Sequence, residues 1–319
     1  MFRFGVVGCG RMGIRRAKII SKHPHAKLVA MCDVNEEILN KAKEQVVAEL
    51  WTTDYYNLID PNIDVVVICT PNKYHTDIAI DALNEGKHVF VEKPLARTPE
   101  EARKMVETAE ENGVTLKVSS NFRYFPNVQK ARELLPRIGE ILFMRGRIGH
   151  DGTKLTPWFK DYDLVGGGTM LDNGCHILDL AVWFMGKPIE CWGHVNKQPI
   201  EDIGFGLFKF ENGSVANLQS SWREWNEYAY IEVYGTDGYI TIDSTIPNCT
   251  TTLVTRDGFK KIYDFSKLPP QSYDLEFDSY MNFLENGLNP FPSGHDGMRV
   301  VEMVHAIYES AKTGKSVRF

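Results

Sequence analysis

The sequence predicts an α/β protein with two domains, a parallel doubly wound sheet followed by an α+β domain. Three observations support this fold class. Apolar runs alternate with helical segments over residues 1–120, strand-like runs separated by tight turns replace that alternation afterwards, and 319 residues exceed the usual size of one core. We therefore place the domain boundary after residue 120 and assign residues 121–319 to the second domain.

In the first domain, five apolar runs predict strands, and the segments between them have helical composition. The run 65–69 is rich in β-branched residues, which is typical of a strand buried on both faces. Gly86 and Thr98 supply a helix end and a helix N-cap. The predicted strands are 2–7, 28–32, 65–69, 88–91 and 114–118, and the predicted helices are 12–21, 36–48, 77–84 and 98–111. Strands that alternate with helices in this way form a parallel sheet.

After residue 120, closely spaced strands with turn signals between them predict an antiparallel sheet. Gly213 and Gly238 stand in two of these turns. The predicted strands are 141–148, 189–195, 205–210, 214–221, 229–234, 239–243 and 251–255. Helices are predicted at 125–135, 170–184 and 296–312, and Gly314 stops the last of them.

Composition and charge exclude several classes of protein. A net charge of −6 provides no basic surface for nucleic acid, and 43% hydrophobic with 24% charged residues is typical of a folded globular chain. No stretch is apolar over the thickness of a bilayer, and the N-terminus has the pattern of a strand rather than of a signal peptide. The six cysteines form no C-x-x-C pair and the nine histidines show no ligand spacing, so we expect reduced thiols, a cytoplasmic location and no metal.

A glycine motif, G-x-G-x-x-G at residues 8–13, lies between the first strand and the first helix. Gly8 permits a tight turn, Gly10 lets the backbone approach a pyrophosphate, and Gly13 allows the helix to pack closely on the strand. The free N–H groups at the helix N-terminus would bind the phosphates. In this strand-turn-helix context the motif predicts a dinucleotide site, and an ordinary glycine-rich turn is the alternative.

An acidic side chain, Asp33, closes the second strand twenty residues after Gly13, where a carboxylate can bind the adenosine ribose hydroxyls. Because this carboxylate would repel a 2′-phosphate, we expect NAD rather than NADP. Arg11 could accommodate that phosphate, which leaves NADP open. A simple N-capping role is the alternative for Asp33.

Polar turns follow two of the buried strands, at the sheet edge where open α/β sheets bind ligands. The segment 70–72 (T-P-N) could line the nicotinamide side of the site or be a simple turn. The segment 92–94 (E-K-P) follows a strongly apolar strand. Its Lys93 could hold the reacting oxygen of a substrate, and the alternative is a surface lysine paired with Glu92.

A glycine run at residues 166–168 leads into the helix predicted from Met170. Asp172 and His176 are four residues apart and share a helix face, which predicts a general base with an orienting or substrate-binding partner. The alternative is an ion pair on a solvated helix face. Cys175 adjoins His176, but adjacent helix positions point in different directions, so we expect no Cys–His nucleophile pair.

Two further segments are expected to contact a substrate. Residues 121–124 (N-F-R-Y) stand at the crossover between the predicted domains, and their polar side chains are expected to face a cleft. Residues 149–152 (G-H-D-G) and Trp158 are expected to line the substrate side.

Taken together, these motifs resemble those of the Gfo/Idh/MocA family, named for glucose–fructose oxidoreductase, inositol dehydrogenase and a rhizopine-catabolism protein. The resemblance extends over nearly the whole chain, through GVVGCGRMG, ICTPNKYH, GKHVFVEKPLA, GGGTMLDNGCHILD and SGHDGMRVVEMVHAIYESAKTGKSV. It implies a Rossmann domain and a C-terminal α+β domain with a large open, mostly antiparallel sheet, to which the terminal helix belongs. It also implies homodimers or homotetramers that form through the open face of that sheet.

The resemblance further implies an NAD(P)-dependent dehydrogenase that oxidises a secondary alcohol of a sugar, cyclitol or sugar derivative. In this reaction Lys93 would be the catalytic lysine, His176 the general acid/base, and Asp172 its partner or a substrate ligand. Cofactor contacts are expected from Gly8, Gly10, Arg11, Met12, Gly13, Asp33, Thr70, Pro71, Asn72, His75, Glu92 and Lys93. Substrate contacts are expected from Lys93, Asn121, Arg123, Trp158, Asp172, Asn173 and His176.

Three other functions stay open for such a protein. These are a redox-neutral NAD-dependent glycosidase, a dehydrogenase of nucleotide-linked sugars, and a regulator that only senses the dinucleotide. Because a sensor needs only the glycine loop, the presence of Lys93, Asp172 and His176 together argues against the third. The expected partner is a small polyol or sugar, with neither nucleic acid nor membrane.

Overall fold

The computed structural model describes residues 1–245, 247–268, 271–287 and 292–319. The chain divides into two compact units, one formed by Met1–Ser120 with Tyr273–Met298 and the other by Asn121–Ser272 with Arg299–Phe319. The structure thus differs from the single boundary expected after residue 120, because a late segment of the chain returns to the first unit. The terminal helix, expected to belong with the second domain, is divided after Met298.

Six parallel strands and four helices form residues 1–120. The strands are β1 (Phe2–Val7), β2 (Ala26–Cys32), β3 (Leu50–Thr52), β4 (Val65–Ile68), β5 (His88–Val91) and β6 (Leu116–Val118), and the helices are α1 (Arg11–Ile20), α2 (Glu36–Lys43), α3 (His75–Asn84) and α4 (Pro99–Glu111). The strand order is β3-β2-β1-β4-β5-β6, with every pair parallel. This order confirms the predicted doubly wound sheet, and it reverses between β1 and β4, where such sheets bind nucleotides.

Residues 121–272 contribute most of the second unit. Its helices are α5 (Pro126–Leu134), α6 (Tyr162–Val165) and α7 (Cys175–Met185), and a π-helical turn (Met170–Gly174) directly precedes α7. Its strands are β7 (Ile141–Asp151), β8 (Pro188–Val195), β9 (Ile203–Phe210), β10 (Val215–Ser221), β11 (Arg223–Gly235), β12 (Gly238–Asp243), β13 (Thr250–Thr255) and β14 (Lys260–Asp264). The chain ends with α8 (Ser272–Asn286), α9 (Gly294–Thr313) and β15 (Val317–Arg318).

In the described part of the chain, the second sheet has nine strands in the order β14-β13-β12-β11-β7-β10-β9-β8-β15. All neighbours are antiparallel except β7 and β10, which are parallel. The fold therefore confirms the predicted large, mostly antiparallel sheet. Apolar side chains on the sheet and on α5 and α7 form one buried core, whereas Trp192, Phe205 and Leu207 are more than two-fifths exposed.

Among the labelled elements of the described residues, the sequence prediction missed five, namely β3, β14, β15, α6 and α8. Helix α8 explains why residues 273–298 join the first unit. Its Phe277 ring lies 5.4 Å from the Phe4 ring, and its Tyr280 ring lies 5.4 Å from the Phe90 ring, measured between ring centroids. All four side chains are buried, so α8 completes the core of the parallel sheet.

Candidate functional site

The glycine loop has the geometry that each of its glycines predicts. Gly8 has φ +93°, which is left-handed backbone, and a Cβ there would lie 2.6 Å from the carbonyl oxygen of Cys69. A Cβ on Gly13 would lie 1.8 Å from the carbonyl oxygen of Gly8, so only glycine lets α1 approach the turn. By contrast, a Cβ on Gly10 would have no atom within 4 Å, which leaves the backbone at the start of α1 open to a ligand.

Asp33 is hydrogen-bonded to the backbone of the glycine loop. Its Oδ2 accepts the N–H of Cys9 at 2.8 Å, and its Oδ1 accepts the N–H of Asn35 at 2.9 Å. The N-cap of α2 is Asn35, whose side chain accepts the N–H groups of Glu37 and Ile38, so the simple N-capping alternative for Asp33 is wrong. The structure thus holds a carboxylate beside the open end of α1.

His75 lies between the two polar turns at the edge of the parallel sheet. Its ring is fully buried, with Nδ1 3.0 Å from the carbonyl oxygen of Pro94 and Nε2 3.0 Å from that of Thr70. Burial lowers the pKa of His75, and the two carbonyls and Glu92 act in the opposite direction. A neutral ring donates to one of these carbonyls and a protonated ring to both, so the protonated ring bonds both turns and the neutral ring bonds one of them. The peptide bond between Lys93 and Pro94 is cis.

Glu92 is held from the other side by a buried ion cluster. The Nε of Arg16 donates to Oε1 of Glu92 at 2.7 Å, and its Nη2 donates to Ser119 at 2.6 Å and to Oε2 of Glu276 at 2.7 Å. Lys117 lies 3.6 Å from the other oxygen of Glu276. Two cations therefore balance two anions inside the first unit, and Glu92 is buried.

In the second unit, the π-helical turn carries Asp172 and Asn173 on a partly exposed surface. The indole N–H of Trp222 donates to Oδ2 of Asp172 at 3.2 Å, and Asn173 is hydrogen-bonded to the ring of His150. Trp222 is itself buried. Strand ends from the large sheet therefore hold both polar side chains of the turn in place.

His176 is the second residue of α7, and its side chain is buried. Its ring stacks on Phe122 with centroids 4.3 Å apart and planes 17° from parallel, so the helix face at His176 is buried and not solvated as the alternative requires. The thiol of Cys175 donates to the backbone carbonyl of Asp172 at 2.8 Å.

The crossover residues are more deeply buried than expected. Arg123 is fully buried and donates to both carboxylate oxygens of Asp179 at 2.7 and 2.6 Å. Asn121 is also buried and donates to the hydroxyl of Ser272 at 3.2 Å. The expectation that these side chains face a cleft is therefore corrected, because α7 and the start of α8 provide their partners within the fold. Their roles in binding substrate stay predictions.

Trp158 lies in an aromatic group of the second unit. Its ring stacks on Phe159 at 4.0 Å, and the Phe159 ring stands 6.5 Å from the Trp222 ring, edge to face. Because Trp222 also donates a hydrogen bond to Asp172, aromatic rings and polar side chains occur together beside the π-helical turn.

Comparison with known proteins extends over both units. Residues 2–120 match the family model described as the oxidoreductase family with an NAD-binding Rossmann fold, and residues 128–241 match the GFO/IDH/MocA C-terminal domain. The chain belongs to the GFO/IDH/MocA family. It is an oxidoreductase, and the resemblance inferred from its motifs is confirmed.

Members of the GFO/IDH/MocA family align with nearly the whole chain. The myo-inositol 2-dehydrogenase of Thermotoga maritima is 29% identical, over 99% of this chain and 98% of that protein. The scyllo-inositol 2-dehydrogenase (NAD⁺) of Bacillus subtilis is also 29% identical, over 99% and 96%. The solved levoglucosan dehydrogenase in complex with NADH and levoglucosan superposes with a TM-score of 0.91 at 24% identity, over 99% and 98% of the two chains, and shows the same fold.

The residues of this GFO/IDH/MocA protein fit the NAD cofactor that its Rossmann domain implies. The open backbone at Gly10 and the N-terminus of α1 suit the pyrophosphate, and Asp33 suits the ribose hydroxyls. Thr70 Oγ1 is buried without a hydrogen-bond partner in the described part of the chain, at the end of β4 where the nicotinamide side is expected. The remaining predicted contacts stay predictions, namely Arg11, Met12, Pro71, Asn72, His75, Glu92 and Lys93.

The described residues contain neither a metal-binding cluster nor a membrane-spanning helix. No group of three or more His, Cys, Asp or Glu side chains there could hold a metal ion. Nor does that part of the chain contain a helix with the length and hydrophobicity needed to cross a membrane.

Sequence reasoning missed several residues that hold the site in place. Arg16, Trp222 and Glu201 were assigned no role, although each contacts a predicted site residue or the backbone beside one. Arg16 stands three residues after Gly13 on α1, where an arginine in an otherwise buried helix face is a signal that could have been used.

Proposed function

We propose that this protein is an NAD-dependent dehydrogenase of a secondary alcohol on a small sugar or cyclitol. One observation carries the proposal: the E-K-P turn is fixed against the cofactor loops of its own unit. Glu92 accepts a hydrogen bond from Arg16 of the helix that follows the glycine loop, and the ring nitrogens of His75 lie 3.0 Å from the carbonyl oxygens of Pro94 and Thr70. These contacts support a role for Lys93 at the edge of the parallel sheet where such folds bind ligands. Relatives named for inositols support the substrate class.

Lys93 has the charge that the reaction needs. When bound, the dinucleotide supplies a nicotinamide that accepts hydride from the carbinol carbon of the substrate. As the hydroxyl proton leaves, the substrate oxygen becomes negative, and an ammonium held beside it stabilises this alkoxide, whose charge then forms the carbonyl bond as hydride leaves the carbon. Because Glu92 and Pro94 are fixed on both sides of Lys93, the ammonium would need little reorganisation during the reaction.

His176 takes the hydroxyl proton in this proposal. Stacking on Phe122 fixes the plane of its imidazole, which a general base requires. The products are then a ketone, reduced cofactor and a proton on His176. Asp172, held by the indole N–H of Trp222, either orients the imidazole or binds a neighbouring hydroxyl of the substrate.

The second unit also has the composition of a polyol site. Asp172, Asn173 and His150 offer several hydrogen-bonding groups, and the partly exposed ring of Trp158 offers flat apolar surface for the C–H face of a pyranose or cyclitol. This combination supports a small polyhydroxylated ring as the substrate.

Cofactor preference, assembly and location form part of the same proposal. The Asp33 carboxylate beside the glycine loop favours NAD over NADP, with Arg11 as the residue that would allow NADP. The exposed Trp192, Phe205 and Leu207 on the large sheet support homodimers or homotetramers that bury this face. Free cysteines, four of them buried, support a reducing cytoplasmic location.

The experiment is NADH formation by purified protein, followed by near-ultraviolet absorbance. NAD or NADP would be offered with inositols, free aldoses and nucleotide-linked sugars. Reduction of NAD by an inositol or aldose supports the proposal. Reduction only with nucleotide-linked sugars would show that these, and not small sugars or cyclitols, are the substrates. Sugar release from a glycoside without net NADH would identify the redox-neutral glycosidase, and NAD binding without either reaction would identify a sensor.

A further inference from the structure

One buried carboxylate, Glu201, lies at the start of the π-helical turn. The side chain is fully buried in the connection between β8 and β9. Its Oε2 accepts the N–H of Gly168 at 2.9 Å, and its Oε1 accepts the N–H of Met170 at 2.7 Å. The hydroxyl of Tyr308 on α9 donates to the same Oε1 at 3.0 Å. Three donors therefore converge on one carboxylate.

The glycine run before this turn fits the same contact. A Cβ on Gly168 would lie 1.9 Å from the backbone oxygen of Glu201, and a Cβ on Gly167 would lie 2.5 Å from the hydroxyl of Tyr308. The backbone oxygen of Glu201 also accepts the N–H of Thr169 at 2.9 Å. The glycines are thus required because Glu201 and Tyr308 approach the backbone closely.

Burying a carboxylate is costly unless its hydrogen bonds compensate, and the first N–H groups of a helix lack partners within the helix. Glu201 provides partners for these N–H groups, and the same hydrogen bonds compensate for the burial of its carboxylate. Its negative charge is also attracted to the positive end of the helix dipole. Burial raises the pKa of Glu201 to about 7, against the effect of the three donors. Tyr308 is the titratable side chain that faces it from α9.

We propose that Glu201 is a positioning residue for the reaction: its carboxylate fixes the turn that carries Asp172 and Asn173 and leads into His176. The turn is short and directly linked to this contact, since the N–H of Asp172 donates to the backbone oxygen of Gly168 at 3.0 Å. This role rests on the proposed function, because it assigns a reaction to Asp172 and His176.

The test compares three variants of the full-length protein. Glu201→Gln keeps the volume, but its amide has one acceptor oxygen, so an N–H of Gly168 or Met170 must face an NH₂ group. Tyr308→Phe removes one donor and keeps both N–H bonds. Glu211→Gln makes the same chemical change at an exposed position of the same unit and is the matched control. The measurements are kcat, KM, the Kd for NAD, and amide hydrogen exchange of a peptide that spans residues 166–176.

We expect kcat of Glu201→Gln to fall by about 10- to 100-fold, since small misplacements of reacting groups have effects of this size. The Kd for NAD should stay unchanged, because the cofactor contacts lie in the other unit, and exchange of the 166–176 peptide should become faster. Tyr308→Phe should show smaller changes in the same direction, and Glu211→Gln should show none.

Unchanged kcat and exchange in Glu201→Gln would overturn the proposal, as would an equal loss of NAD binding, which would indicate general destabilisation. If Glu201→Gln does not fold, Tyr308→Phe serves as the test of the proposal. Unchanged kcat and unchanged hydrogen exchange in Tyr308→Phe would then overturn it. A native protein that oxidises no alcohol refutes the proposed function. The exchange of the 166–176 peptide then still shows whether Glu201 fixes the turn.

Discussion

Arg16 and Glu92 form a buried ion pair across the first unit, with Nε of Arg16 2.7 Å from Oε1 of Glu92. The two residues belong to the first helix and to the E-K-P turn, which are 76 positions apart in the chain. The pair therefore joins the helix that would bind the pyrophosphate to the turn that presents Lys93. Glu276 of α8 binds the same guanidinium, so the late segment of the chain supports this connection.

Replacement of Arg16 by leucine should strongly destabilise the protein. It leaves the carboxylates of Glu92 and Glu276 buried without their main partner, a loss that costs about 3–5 kcal/mol. Urea unfolding measures this cost. Arg15→Leu is the control, because Arg15 is exposed on the same helix, and it should change the free energy of unfolding by about 0.5 kcal/mol or less. Equal losses in both variants would contradict the assigned role of the cluster.

Replacement of Lys93 by methionine should reduce turnover and spare cofactor binding. Removal of a charge that stabilises a developing oxyanion lowers kcat by about 10²–10³-fold. The Kd for NAD, measured by the quenching of tryptophan fluorescence, should stay close to that of the native protein. If NAD binding and kcat are lost together, Lys93 mainly holds the cofactor.

Replacement of Asp33 by asparagine should shift the preference from NAD towards NADP. Asparagine keeps an acceptor for the Cys9 N–H but removes the negative charge. A hydrogen bond to a charged group contributes about 1.5–3 kcal/mol, so NAD affinity should fall by about 10- to 100-fold while NADP affinity rises. Titration of both cofactors checks this. An unchanged ratio of the two Kd values would remove Asp33 from cofactor selection.

Replacement of Trp222 by phenylalanine should impair the reaction without weakening NAD binding. The variant keeps an aromatic ring but loses the indole N–H that donates to Asp172 at 3.2 Å. Loss of one such bond corresponds to about 1.5–3 kcal/mol, or a fall of about 10- to 100-fold in kcat/KM. Trp192→Phe, on the exposed side of the sheet, is the matched control. A native value of kcat/KM in Trp222→Phe would show that Asp172 needs no such support.

The stability of the protein should depend on pH through Glu201. Its pKa is raised to about 7 in the folded state, so the folded protein holds this proton more tightly than the unfolded chain does. The stabilisation from this proton is fully present below the ordinary carboxyl pKa and is lost as the pH rises through 7, a change on the order of 3 kcal/mol. Comparison of the native protein with Glu201→Gln in urea at pH 5 and pH 8 isolates this effect. The same pH dependence in both proteins would contradict it.

Local patterns predicted the parallel sheet well, because its signals lie within a few residues of each other. Strand β5 has the predicted bounds, and Thr98 caps α4 by accepting the N–H of Glu101 at 3.2 Å. Helix α8 was missed although Phe277, Tyr280 and Leu284 have helical spacing. Even with that helix predicted, spacing alone does not show that it returns to the first sheet.

The candidate site shows the same difference between local and distant information. The glycine loop and the pair Asp172 and His176 could be identified because motif and spacing lie close together in the chain. The π-helical turn could not, since spacing of three and four residues does not distinguish it from an α-helix. Partners such as Glu92 with Arg16, or Asp172 with Trp222, are separated by 50 residues or more, and only the fold shows them.

Deuterium transfer tests the central claim most directly. Native protein and Lys93→Met would be incubated with NAD and a mixture of inositols and aldoses deuterated at every carbon, and the nicotinamide ring would be examined by mass spectrometry. Direct hydride transfer predicts reduced cofactor that carries deuterium from the native protein, and almost none from Lys93→Met although NAD still binds. Absence of deuterium from the ring in the native protein, with NAD bound, would contradict the assignment as a sugar or cyclitol dehydrogenase.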